Sequence, residues 1–204
     1  MTIEEINLYK LTAKDVQRYL PGRERAACGT GSWDEYAQML VDGTARAAEC
    51  EEISPRMAAA LDAILSLDVH LPESDPMQQK IAEKLIELNS PNESSPVILT
   101  GNSIVTHRML RLIFDAARVP AYAVPVDTNG LTVDNAVAVG AFTPMAVMRA
   151  ITDSGIAARS SSRRIIIPGL AHASKSAIER ITRWTVEVGP VSGFELPMYL
   201  LTER

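Results

Sequence analysis

Cysteine is nearly absent from this chain: Cys28 and Cys50 are its two copies in 204 residues. Two thiols exclude a disulfide scaffold and fit a reducing, cytoplasmic setting. Taken alone, each reads as an isolated thiol. Histidine is scarce too, and His70, His107 and His172 are scattered without metal-ligand spacing. No apolar run approaches the roughly 20 residues that span a bilayer, so no membrane association is expected. Residues 1–10 carry acidic side chains and no apolar block, which reads as no signal peptide. An excess of positive charge is missing as well. The net charge is −5, which argues against a nucleic-acid partner held through phosphates. Neither a Ser-His-Asp or Cys-His constellation nor an HExxH motif is visible. Cys28-Gly-Thr-Gly31 lacks a third glycine and a preceding strand, and no Lys-Ser/Thr follows it. It is therefore neither a dinucleotide fingerprint nor a P-loop. There is no internal repeat.

What is present is an ordinary globular composition, 47% hydrophobic and 22% charged, enough for one domain plus a small appendage. The first part reads as three helices. Thr12 caps one over 13–20 that Pro21-Gly22 stops. Ser32 caps a second, with Trp33, Tyr36, Ala37, Leu40 and Val41 at helical spacing before Gly43. Ser54-Pro55 opens a third, with Met57, Leu61, Ile64 and Leu65 on one stripe. Residues 71–76 form a turn-rich break, 77–88 a helix and 89–95 a polar linker. The resulting division is 1–67, a small helical domain; 68–95, helix and linker; and 96–204, an α/β domain.

The α/β part repeats one pattern four times. Apolar, β-branched runs at 96–100, 121–126, 164–167 and 184–188 each end in a small polar or Gly/Pro turn. Helical patterns follow at 104–117, 132–139 and 144–154, 173–182 and 192–200. Alternating β and α elements predict an open, mainly parallel sheet with helices on both faces, of the Rossmann or flavodoxin-like kind. In such a sheet the ligand sits outside the carboxyl ends of the strands. The four turns hold the candidate site residues: Thr100, Gly101 and Asn102, with Thr106 on the next helix; Asp127, Thr128 and Gly130; Pro168, Gly169 and Leu170; Gly189 and Pro190. Singly, each is an Asx cap or an ordinary turn. Together, small residues at four strand ends make a shallow floor where backbone amides can approach a large flat ligand. His107 either overhangs that floor or is a half-buried helix residue.

These loops carry a family resemblance. Pro96-Val-Ile-Leu-Thr100 with Asn102 and Thr106, Val126-Asp-Thr-Asn-Gly130 and Gly140-Ala-Phe-Thr-Pro144 come first. Ser154-Gly-Ile156, Arg164-Ile-Ile-Ile-Pro-Gly169 and Val188-Gly-Pro190 follow in order. This run resembles the C-terminal domain of the large (gamma) subunit of the corrinoid iron–sulfur protein of the acetyl-CoA decarbonylase/synthase system. Asp15-Val16, Tyr19-Leu-Pro21, Cys28-Gly29, Tyr36-Ala37 and Cys50 resemble that family's small iron–sulfur domain. Two of its four cysteines remain, and residues such as Gly31 or Trp33 stand where the middle ones belong. The family's TIM barrel is missing.

The resemblance implies a cobalamin (corrinoid) cofactor held base-off above the listed loops, with the nucleotide tail over 127–130, 168–170 and 189–192. It implies a methyl-group carrier of anaerobic one-carbon metabolism, or a methyltransferase component, and not a complete enzyme. The partners it implies are a methyltransferase or barrel-type corrinoid subunit and a reductive activator protein. Cys28 and Cys50 become remnant metal ligands, or half of a four-thiolate cluster shared between two chains. An intact 4Fe-4S cluster in one chain is not expected, because a cubane normally takes four thiolates. Gly101 stands where the family has a second threonine and His107 where it has an aromatic residue, so base-off and His107-ligated cobalt both remain open. The alternative is a degenerate paralogue that acts as an assembly or interaction module without cofactor.

Overall fold

The computed structural model describes residues 10–22, 28–69 and 78–202. The expected break at 71–76 and His70 lie outside these residues. The chain forms two compact units. One holds the described residues up to Val69 together with those from Ser192 on, and the other continues to Val191.

The first unit is helical: α1 (Ala13–Gln17), α2 (Trp33–Val41), α3 (Pro55–Leu65) and a C-terminal α8 (Leu196–Leu201). Its starts are those expected from capping chemistry. Thr12 and Asp15 satisfy each other's backbone N–H groups at the head of α1. Ser32 accepts from Glu35 N, and Ser54 precedes Pro55 and accepts from Met57 N. Helix α1 is three residues shorter than the expected 13–20. Beyond it, Arg18 Nη1 and Tyr19 Oη donate to the buried carboxylate of Glu195, at 3.0 and 2.9 Å. Burial and that carboxylate raise the Tyr19 phenol well above its ordinary range. The cysteines are not isolated thiols. Asp62 accepts from Ala47 N and Ala48 N, which turns the chain so that buried Cys50 meets Cys28 in a disulfide, Cα–Cα 5.2 Å.

The second unit is a five-stranded sheet: β1 (Ile86–Leu88), β2 (Val97–Gly101), β3 (Ala121–Val126), β4 (Arg164–Ile167) and β5 (Thr185–Val188). Its order is β1-β3-β2-β4-β5. Strands β2 to β5 are parallel, as expected, and only β1 runs antiparallel. The helix expected over 77–88 is not found among its described residues. Ile86 and Leu88 are buried with Glu87 exposed between them, a period-2 pattern that pairs Ile86 with Ala123 and Leu88 with Ala121. Tertiary pairing outweighs the local helical spacing here.

The central strands β2 and β3 are buried at every position because both faces are covered, whereas the edge strand β5 (Thr-Val-Glu-Val) is only partly buried. On one face lies α4 (Ile104–Ala117), which buries Met109, Leu110, Ile113 and Phe114. On the other, α6 (Pro144–Ser154) packs against β3 and α7 (Lys175–Thr182) against β5. Val97, Leu99, Val124, Ile165, Ile167 and Val186 form the core beneath α6 and α7, with Val147, Ile151 and Ile178 contributed by those helices. The short α5 (Val133–Ala138) links β3 to α6 and touches both β2 and the 3₁₀ turn Gly169–Ser174. No described helix is long and apolar enough to cross a membrane.

Candidate functional site at the carboxyl edge of the sheet

Parallel pairing sets the carboxyl ends of β2, β3, β4 and β5 along one edge, so the four β-to-α corners do share a rim. The chain leaves β2 toward β3 and returns past it to β4, which makes the β2–β4 gap the topological switch point. Helix α5, in contact with β2 and the turn after β4, lies at this gap.

The corners are joined in two pairs. At the β2–β3 end, Asn102 Oδ1 accepts from Thr128 N and Gly130 N, each at 3.0 Å, and stands 3.1 Å from Thr128 Oγ1. Asn102 Nδ2 donates to Asp127 Oδ1 at 2.9 Å. Thr128 is wholly buried, and its hydroxyl reaches Leu131 O at 2.8 Å. Residues 78–81 run across this pair. Ile81 N donates to Asn102 O, Ile104 N donates to Gln79 O, and Lys80 Nζ lies 3.8 Å from Asp127 Oδ1. At the β4–β5 end, Gly169 N donates to Pro190 O and Gly189 N to Ile167 O.

Three glycines at these corners make room for the chain's own backbone. A Cβ on Gly101 would stand 3.0 Å from Leu131 O, one on Gly130 would overlap Gln78 O, and one on Gly169 would stand 2.8 Å from Gly189 O. The amides of Thr128, Asn129, Gly130, Gly169 and Gly189 already donate within the protein. Groups turned outward are of two kinds. Thr106, Pro168, Leu170, Gly189 and Pro190 are half-buried and Val191 is exposed, while the Asp127 side chain, 71% exposed, offers a carboxylate. Thr100 lies beneath the rim, 4% exposed.

Asp127 is held below its usual carboxylate range by the Asn129 N–H first, then by Asn102 and Lys80, against the opposing cost of burial. His107 is half-buried and its Nε2 accepts from Arg111 Nε at 2.8 Å. Burial first, then the Arg111 charge, lowers its pKa, which favours the neutral ring. Among the described residues, no group of three or more His, Cys, Asp or Glu could hold a metal ion. A separate groove of about 350 Å³ lies in the helical unit, lined by Gln17, Arg18, Pro21, Ser32, Trp33 and Asp34 among others.

The corners are legible in the sequence; the segment 78–81 and the place of α5 at the switch point are not. Gln78 to Ile81 carry no strand-like pattern, and their pairing with residues 102–104 depends on chain partners more than 20 positions away.

The sheet unit falls in the class of doubly wound α/β folds, whose loops gather at a switch point. Within that class the chain belongs to the CdhD family, described as the CO dehydrogenase/acetyl-CoA synthase delta subunit, whose model matches residues 34–200. The acetyl-CoA decarbonylase/synthase complex subunit gamma of Methanopyrus kandleri is 34% identical over 131 residues, 64% of this chain and 28% of that protein. The corrinoid/iron-sulfur protein large subunit of Moorella thermoacetica is 34% identical over 111 residues, 54% and 25% of the two chains. The gamma subunit of Methanothermobacter thermautotrophicus is 36% identical over 128 residues, 62% and 28%. The matches span about a quarter of the length of these relatives.

Proposed function

We propose that the α/β unit binds a corrinoid at its carboxyl rim and that the protein carries a methyl group in anaerobic one-carbon metabolism. The observation that carries this reading is the collection of four β-to-α corners on one edge, in a chain whose family match runs through all of them. Outward Pro168, Leu170, Pro190 and Val191 suit the apolar face of a macrocycle, and Thr106 and Asp127 suit the amides at its periphery. A bound corrinoid supplies a cobalt centre that accepts and releases methyl groups; the protein supplies placement. His107 Nε2 accepts from Arg111 Nε, so its lone pair would not be offered to a metal, and this supports the base-off reading.

An iron–sulfur cluster does not fit the residues present. The chain has two cysteines, and each has the other as its partner. Reduction then falls to a separate activator protein, and methyl exchange to a methyltransferase or barrel-type partner subunit.

One observation favours a second reading, an assembly module without cofactor: protein backbone fills the space beside three rim glycines. Reconstitution with hydroxocobalamin followed by gel filtration decides between the two. A carrier retains about one cobalt per chain with a base-off spectrum. Cobalamin eluting wholly in the small-molecule fraction overturns the carrier reading and leaves the assembly module.

A further inference from the structure

We propose that Asn102 is a positioning residue: it fixes the shape of the β3 corner and presents Asp127 as the contacting group, without itself touching a ligand. The role of Asp127 rests on the corrinoid reading; the role of Asn102 as a lock on the corner does not.

Asn102 is 8% exposed, and its amide is almost fully engaged. Its oxygen accepts from two backbone N–H groups, and its nitrogen faces a carboxylate oxygen, which fixes the orientation of the amide. The Thr128 hydroxyl has one proton, shared between Leu131 O at 2.8 Å and Asn102 Oδ1 at 3.1 Å. With its main-chain oxygen accepting from Ile81 N, Asn102 ties three segments together: the end of β2, the corner 127–130 and the crossing segment 78–81.

The corner needs such a tie. Asn129 and Gly130 are consecutive left-handed residues, at φ 63° and 80°. That conformation disfavours an L-residue, and local bonds must offset the cost. Asn102 Oδ1 gathers the N–H groups on either side of Asn129. Its Nδ2, with Asn129 N and Lys80 Nζ, engages one oxygen of Asp127, Oδ1. The second oxygen belongs to a side chain that is 71% exposed. A carboxylate so held accepts from N–H donors, and the ligand chemistry it would take is a primary amide, such as those around a corrin ring.

Two variants of the full-length protein test this, each read by amide hydrogen exchange without ligand and by hydroxocobalamin affinity. Asn102→Ala should speed exchange at Thr128 and Gly130 at least tenfold and weaken cobalamin at least tenfold. Asn102→Asp keeps the acceptor but sets a carboxylate against Asp127. Its exchange protection and affinity should approach wild type near pH 5, where the pair shares a proton, and fall by pH 8, a dependence wild type does not show. Asp127→Asn should keep the amides protected while weakening cobalamin. Unchanged exchange in Asn102→Ala overturns the lock. Fast exchange with unchanged affinity overturns the positioning role. A wild type that takes up no cobalamin overturns the carrier reading and the Asp127 role, while the exchange arm still decides the lock.

Discussion

The two units of this chain are held by different means. The sheet unit rests on contiguous apolar burial: strands buried on both faces, covered by helices whose inward stripes read directly from the sequence. The helical unit has a buried apolar core of its own, with Val16, Leu61 and Met198 wholly buried, and adds to it a few ties between residues far apart in sequence, Cys28 with Cys50 and Arg18 and Tyr19 with Glu195. Cavities are costly in both units, most of all at Phe114, the largest of the wholly buried side chains, and the loss of one polar partner is costly wherever a tie is buried.

The largest effect expected is therefore in the sheet unit. Phe114 is wholly buried at the α4 face, and Phe114→Ala should cost about 3–5 kcal/mol in denaturant unfolding of that unit. An effect under about 1 kcal/mol would break the contrast. Next comes the helical unit's disulfide, which closes a loop of sequence separation 22. Reduction should destabilise that unit by about 3 kcal/mol, with the sheet unit's transition unmoved. Calorimetry with and without a thiol reductant reads both. Glu195→Ala should then cost about 1–3 kcal/mol, because Tyr19 loses a buried charge-assisted acceptor. The smallest effect is a pH slope. His107 has a folded pKa below its ordinary 6.5, so the unfolded chain binds its proton more readily. Its contribution is present above pH 6.5 and is lost as pH falls through 6.5 toward the lower folded value. His107→Asn should flatten that part of the stability–pH curve.

The same contrast decides what could be read beforehand. Runs at 121–126 and 164–167 and helices at 104–117 and 144–154 lie where the pattern put them, because buried parallel strands and capped amphipathic helices leave a local imprint. Residues 77–88 misled because Ile81, Leu85 and Leu88 stand at helical spacing while Ile86 and Leu88 stand at strand spacing, and only the partner strand β3 decides. Glu195 and Arg18 are separated by 177 positions, beyond any local pattern. At the rim, residue identity was legible but allegiance was not. Gly101, Gly130 and Gly169 read as room for a ligand, whereas in the fold that room receives backbone from positions 131, 78 and 189.

The most direct test of the corrinoid reading is hydrogen exchange of the intact protein with and without hydroxocobalamin, mapped along the sequence. New protection is expected at residues 104–107, 127–130, 168–170 and 189–191, with the helical unit unchanged. Protection that appears elsewhere, or nowhere, would contradict that reading.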